Sequence, residues 1–72
     1  MEYMEIFKAH YKEHFSRSTS SKLVENEERL SLLLNDDTFS YSPLIDEALA
    51  MYELIRDECV RRVSRMAKSD EW

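Results

Sequence analysis

A chain of 72 residues without a single glycine has few ways to turn sharply. Glycine enters positive φ without steric cost, and two-residue hairpins, bulges and phosphate-cradling loops lean on it. Its absence removes the glycine-rich phosphate and dinucleotide fingerprints and argues against a hairpin-rich β fold. Proline occurs once, at Pro43. A chain that neither turns tightly nor breaks its helices is expected to be all-α.

Periodicity supports this, because three amphipathic segments emerge at about 100° per residue. Helix 1 is expected over roughly residues 2–16, with Tyr3, Met4, Phe7, His10, Tyr11, His14 and Phe15 on one arc. The serine-rich stretch Ser16 to Ser21 interrupts it, since short hydroxyl side chains favour caps and turns, and Ser20 or Ser21 is the expected N-cap of helix 2. Helix 2 is expected over roughly 21–35, with Leu23, Val24, Leu30, Leu33 and Leu34 inward. Glu27 falls inside that arc and Leu32 points away from it. Asn35 is expected to close the helix in the left-handed region in place of glycine. Phe39 and Tyr41, in the connection that follows, are expected to fold back as a lid.

Ser42-Pro43 is a strong start signal for helix 3, a serine cap ahead of a proline in the first turn. The helix is expected over roughly 43–68, with an inward stripe of Leu44, Ile45, Ala48, Leu49, Tyr52, Ile55, Cys59, Val60, Val63, Met66 and Ala67. Asp57 with Arg61 and Glu58 with Arg62 are i,i+4 pairs in the favourable order. Arg61, Arg62, Arg65 and Lys68 suit the negative end of the helix dipole, although Asp57, Glu58, Asp70 and Glu71 interleave with them. The architecture read from the sequence is one small three-helix domain, two short helices and one long C-terminal one.

So small a chain buries only about 60% of its unfolded surface and usually needs reinforcement. The one cysteine, Cys59, cannot form an internal disulfide and reads as a small core residue. Helix 3 would span about 39 Å against about 21–24 Å for the others, so about ten residues at one end lack a neighbour. The chain is therefore expected to form a homodimer through helix 3. A single unpaired thiol suits a reducing cytoplasm. Met1 to Glu5 does not read as a signal peptide, and no run approaches the ~20 apolar residues of a membrane span.

A net charge of −5 sets the chain against general attraction to nucleic acid and towards a partner protein with a basic surface. The expected docking patch is Leu32, Met51 and Leu54 outside the main stripe, rimmed by Glu28, Glu47, Glu53 and Glu58. It would serve a small regulator or adaptor (an inhibitor, antirepressor or assembly factor) that acts sterically. The alternative is a small dimeric DNA-binding transcriptional regulator that uses the basic end of helix 3.

Catalysis finds little support. His10-Tyr11-Lys12-Glu13-His14 resembles the inverted zinc-peptidase motif and puts His10 and His14 a turn apart, the spacing for two imidazoles on one zinc. Those enzymes need a further acidic ligand and a large cleft, so the pair is read as flanking an aromatic face, with no cofactor expected. Leu30-Ser31-Leu32-Leu33-Leu34 matches a short groove-entering helix, yet its leucines are better spent on the core. The expectation is a binding protein, not an enzyme.

Overall fold

Two residues, Ser18 and Thr19, separate the first two helices in the computed structural model, which describes residues 2–69. Side chains are described as far as Met66; those of Ala67 and Lys68, and all of Asp70 and Glu71, lie outside the described residues. Helix α1 spans Tyr3–Arg17, α2 spans Ser20–Leu34 and α3 spans Ile45–Ser69, with a single 3-10 turn at Phe39–Tyr41 between α2 and α3. All of the described regular structure is helical, as the missing glycines imply.

Without glycine, the chain ends its helices through side chains. Ser16 and Ser18 donate their hydroxyls to the carbonyls of Glu13 and His14, covering the last turn of α1. Ser18 itself is extended, with φ −74° and ψ 150°, which stops the helix. Thr19, not Ser20 or Ser21, caps α2: its hydroxyl accepts from Lys22 N–H at 3.2 Å. Asn35 does not enter the left-handed region; it stays right-handed at φ −87° and ψ −4°, and no described residue has positive φ. The turn is instead built by Asp36, whose carboxylate accepts from Thr38 N–H at 2.8 Å, and by Ser42, whose hydroxyl accepts from Leu44 N–H at 3.1 Å. Ser42 thus works as the expected start signal, with the regular helix beginning at Ile45.

The arms run in opposite directions along α3. Met4 and Lys8 of α1 lie beside Asp46, Ala50 and Glu53, Lys12 lies beside Leu54 and Asp57, and Phe15 reaches Arg62, so α1 is parallel to α3. On α2, Ser20 meets Arg62, Glu27 meets Cys59, and Leu30 and Leu33 lie near Ala48 and Met51, so α2 is antiparallel to it. Each arm packs on α3, with few contacts to the other arm. The result is flat and extended, 49 × 31 × 15 Å. Its radius of gyration of 14.0 Å exceeds the ~11 Å of a compact chain this long.

The core is small. Phe15, Leu23 and Ile55 are its fully buried apolar centre, with Tyr11, Leu30, Met51, Leu54 and Cys59 packed against them. Burial of the three central side chains contributes about 1.5–3 kcal/mol each. Along α1 the aromatic rings of Tyr3, Phe7, Tyr11 and Phe15 follow one another at 5.9, 4.8 and 5.7 Å, carrying contact from the core towards the N-terminus.

The expected phase of helix 3 is corrected. The core-facing meridian runs Ala48, Met51, Ile55, Glu58 and Arg62, rotated roughly 70° from the expected stripe at 100° per residue. Leu44, Leu49, Val60, Val63 and Met66, all expected inward, are exposed. The cause is a charged pair in the core. Glu58 is only 2% exposed, and its carboxylate meets Arg62 at 2.8 Å and Arg61 at 3.0 Å, with Arg65 at 3.8 Å.

Arg62 is the clasp of the fold. Its Nε donates to Glu58, Nη1 donates to the Ser20 hydroxyl at 3.0 Å, and Nη2 is directed at the carbonyls of Phe15, Ser16 and Ser18. Nη2 carries two hydrogens, so those three carbonyls share them. One guanidinium thereby covers the open C-terminus of α1 and ties the α1–α2 junction to α3. Beyond Arg62, Val63, Ser64, Arg65 and Met66 are all exposed. Among the residues whose side chains are described, the uncovered stretch of the long helix is this one, from Val63 to Met66.

Candidate functional site

The residues expected to form the docking patch are scattered. Leu32 is 73% exposed on the outer side of α2. Met51 and Leu54 are half-buried against the core and do not stand outside it. Glu58 lies beneath its arginines and is no part of an acidic rim. Glu47 is half-buried at the edge of a different feature. Met51 and Glu47 come together there; Leu32, Leu54 and Glu58 do not join them.

That feature is an open apolar groove of about 310 Å³. Tyr3 and Phe7 of α1 form one wall and Leu30 and Leu33 of α2 the other. Phe39 and Leu44 close one end, and Glu47, Ala48 and Met51 of α3 form the floor. Each element arrives for a local reason. The aromatic ladder of α1 places Phe7 and Tyr3 one and two turns further out than half-buried Tyr11. The Asp36 turn folds Phe39 back against α2 and α3. The lid expectation holds for half-buried Phe39 and fails for Tyr41, which is 89% exposed because the 3-10 turn rotates it outward. Leu33, expected in the core, is 42% exposed on the groove wall.

The groove carries one polar anomaly. Glu47 Oε2 is buried, yet it makes no hydrogen bond among the described residues. A buried carboxylate oxygen without a donor carries a desolvation cost of about 1–3 kcal/mol or more. An apolar trough with a carboxylate in its floor is chemically suited to a segment that brings both apolar anchors and a donor.

The remaining candidates are arranged differently. His10 and His14 are exposed on α1, edge-on to Tyr11 at 5.0 and 6.0 Å. Glu13, the base in the motif reading, is held by Arg17 at 2.6 Å. Among the described residues no three His, Cys, Asp or Glu side chains are grouped to hold a metal ion. Cys59 is half-buried, its sulfur 4.0 Å from Glu27. Arg56 donates to the Tyr52 hydroxyl at 3.2 Å, and that bond, with attraction from Glu27, raises its pKa above the ordinary guanidinium value.

Of the residues expected to dock a partner, Glu47 and Met51 line the groove, whereas Tyr3 and Phe7 of its aromatic wall were expected on the core-facing arc of helix 1. The i,i+4 repeat Tyr3, Phe7, Tyr11, Phe15 was the signal, since an aromatic row longer than the core it serves must end at a surface. No protein-family model matches the sequence, and no curated protein or solved structure is similar to it.

Proposed function

We propose that this chain is a small protein-binding regulator or adaptor that holds an apolar segment of another protein in the groove between α1 and α2. The observation that carries the reading is the exposed apolar trough with an unpartnered carboxylate oxygen, Glu47 Oε2, buried in its floor. The partner is an amphipathic helix with apolar anchors at i, i+3 or i+4 and i+7, plus a lysine or arginine that reaches Glu47. The apolar wall supplies affinity; the carboxylate selects among apolar segments, because a segment without a donor leaves it unpaired. The net charge of −5 favours encounter with a basic partner. Action is steric, with no catalytic step.

The reading includes self-association through α3, whose outer face exposes Leu49, Val60 and Val63. The unpaired thiol of Cys59 suits a reducing compartment. DNA binding through the basic end of α3 draws less support. Arg61, Arg62 and Arg65 all turn towards Glu58, and Arg62 is further committed to the α1–α2 junction.

The test is selection from a displayed library of helical peptides. Binders should carry the anchor spacing with a basic residue, and Glu47→Gln should weaken them by about 10-fold or more, the equivalent of a charged hydrogen bond. Leu33→Lys should abolish capture while α-helical circular dichroism is retained. Binders without a basic residue, or indifferent to Leu33→Lys, would rule out this groove as the site.

A further inference from the structure

The outer face of α3 shows a pattern that the core does not use. Leu49, Glu53, Arg56, Val60 and Val63 recur at spacings of four, three, four and three, the heptad seam of a coiled coil. At 100° per residue they fall within an arc of about 80°, directed away from the Ala48–Ile55–Arg62 meridian. All five are exposed. Apolar positions thus flank a charged middle layer, an acid next to a base.

The order of those charges discriminates between orientations. In a parallel pair of α3 helices, Glu53 would face Glu53 of the second copy, and Arg56 would face Arg56, both repulsive. In an antiparallel pair the two positions of the heptad face one another. Glu53 then meets Arg56 of the second copy twice, while Leu49 meets Val60 twice on either side. These four layers are complementary, and further out Val63 falls opposite Asp46. Shifting the antiparallel register by about one turn, so that Leu49 meets Val63, brings Arg56 against Arg56 and loses the match.

We infer that the chain forms an antiparallel homodimer through the outer face of α3, with reciprocal Glu53–Arg56 pairs across a two-fold axis between residues 54 and 55. The interface is isologous and closes on itself, so it ends at two chains. It rests on the self-association reading above and is separate from the groove, which lies on the opposite side of α3 and stays open to a partner in each copy. The charged layer lowers affinity relative to an all-apolar seam and fixes orientation in exchange. Arg56 exchanges its contact with Tyr52 for the carboxylate of the second copy.

Charge exchange tests this with the full chain. Sedimentation equilibrium of the wild type at high micromolar concentration should give twice the 8.7 kDa of one chain. Glu53→Arg alone and Arg56→Glu alone should each sediment as monomers with unchanged helix content. An equimolar mixture of the two variants should dimerise, because each supplies the charges the other lacks, and no intramolecular effect of either substitution can be rescued by mixing. Val60→Lys, at a position 62% exposed, should also give a monomer that remains folded. A monomeric wild type would overturn self-association itself. A dimer that survives both charge variants, or a mixture that stays monomeric, would overturn the antiparallel register alone.

Discussion

Replacing Arg62 with alanine should cost this fold more than the same change at any other basic side chain. The guanidinium is 21% exposed, while its partner Glu58 is 2% exposed. Breaking a buried ion pair from one side typically costs about 3–5 kcal/mol, because the remaining charge is left desolvated. Here Arg61 stays at 3.0 Å and retains part of that interaction, which lowers the expected loss towards 2 kcal/mol. The carbonyls of Phe15, Ser16 and Ser18 add about 1 kcal/mol, since water replaces the lost donor only at the exposed ones. The total is about 3 kcal/mol, against the ~3–5 kcal/mol that a single core of this size supplies.

Arg62→Ala should therefore keep no more than about 2 kcal/mol of stability at 25 °C, read as a urea midpoint shifted sharply towards zero. Arg61→Ala, at a side chain 46% exposed, should cost less than about 1 kcal/mol. The double change Glu58→Leu with Arg62→Met removes both charges and should recover most of the stability lost by Arg62→Ala. If Arg62→Ala melts within 0.5 kcal/mol of wild type, the clasp does not hold the junction and the assignment of the α3 meridian is wrong.

Other substitutions probe separate parts of the fold. Leu23→Ala, at a fully buried side chain, should cost about 2–5 kcal/mol by urea denaturation, enough to leave little native helix. Thr19→Ala should cost about 1 kcal/mol through the lost cap on Lys22 N–H, and Thr19→Ser should restore it. Leu54→Lys should unfold the chain, whereas Leu32→Lys, at a residue 73% exposed, should change stability by less than about 0.5 kcal/mol in the same melts.

The helices were legible because their causes are local. Lack of glycine, a hydroxyl-rich break and the Ser42-Pro43 start depend on near neighbours alone, and helices at 3–17, 20–34 and 45–69 lie within two residues of expectation. The phase of α3 was not legible in the same way. Its apolar residues cover too wide an arc to mark one face, and the decisive choice was made by Glu58 and Arg62, whose entry into the core depends on carbonyls more than forty residues away. A reading that sends every charge outward rotates the helix and turns Met51 and Leu54 into a surface patch. The same rotation conceals the groove, because Leu33 and Leu44 look like core until the arms are placed on α3. Glu47 and Met51 line the groove because they sit beside Ala48 at the edge of the core-facing meridian.

A photo-crosslinking residue placed at Leu44 tests the groove most directly. Leu44 is 59% exposed and lines the groove, while exposed Ser64 lies on α3 beyond the arms. Irradiation in the cells of origin should join a second protein to position 44, with the attachment mapped to an apolar segment bearing a lysine or arginine, and Glu47→Gln should reduce the yield. Equal labelling from positions 44 and 64, or labelling at 44 that survives Leu33→Lys, would contradict it.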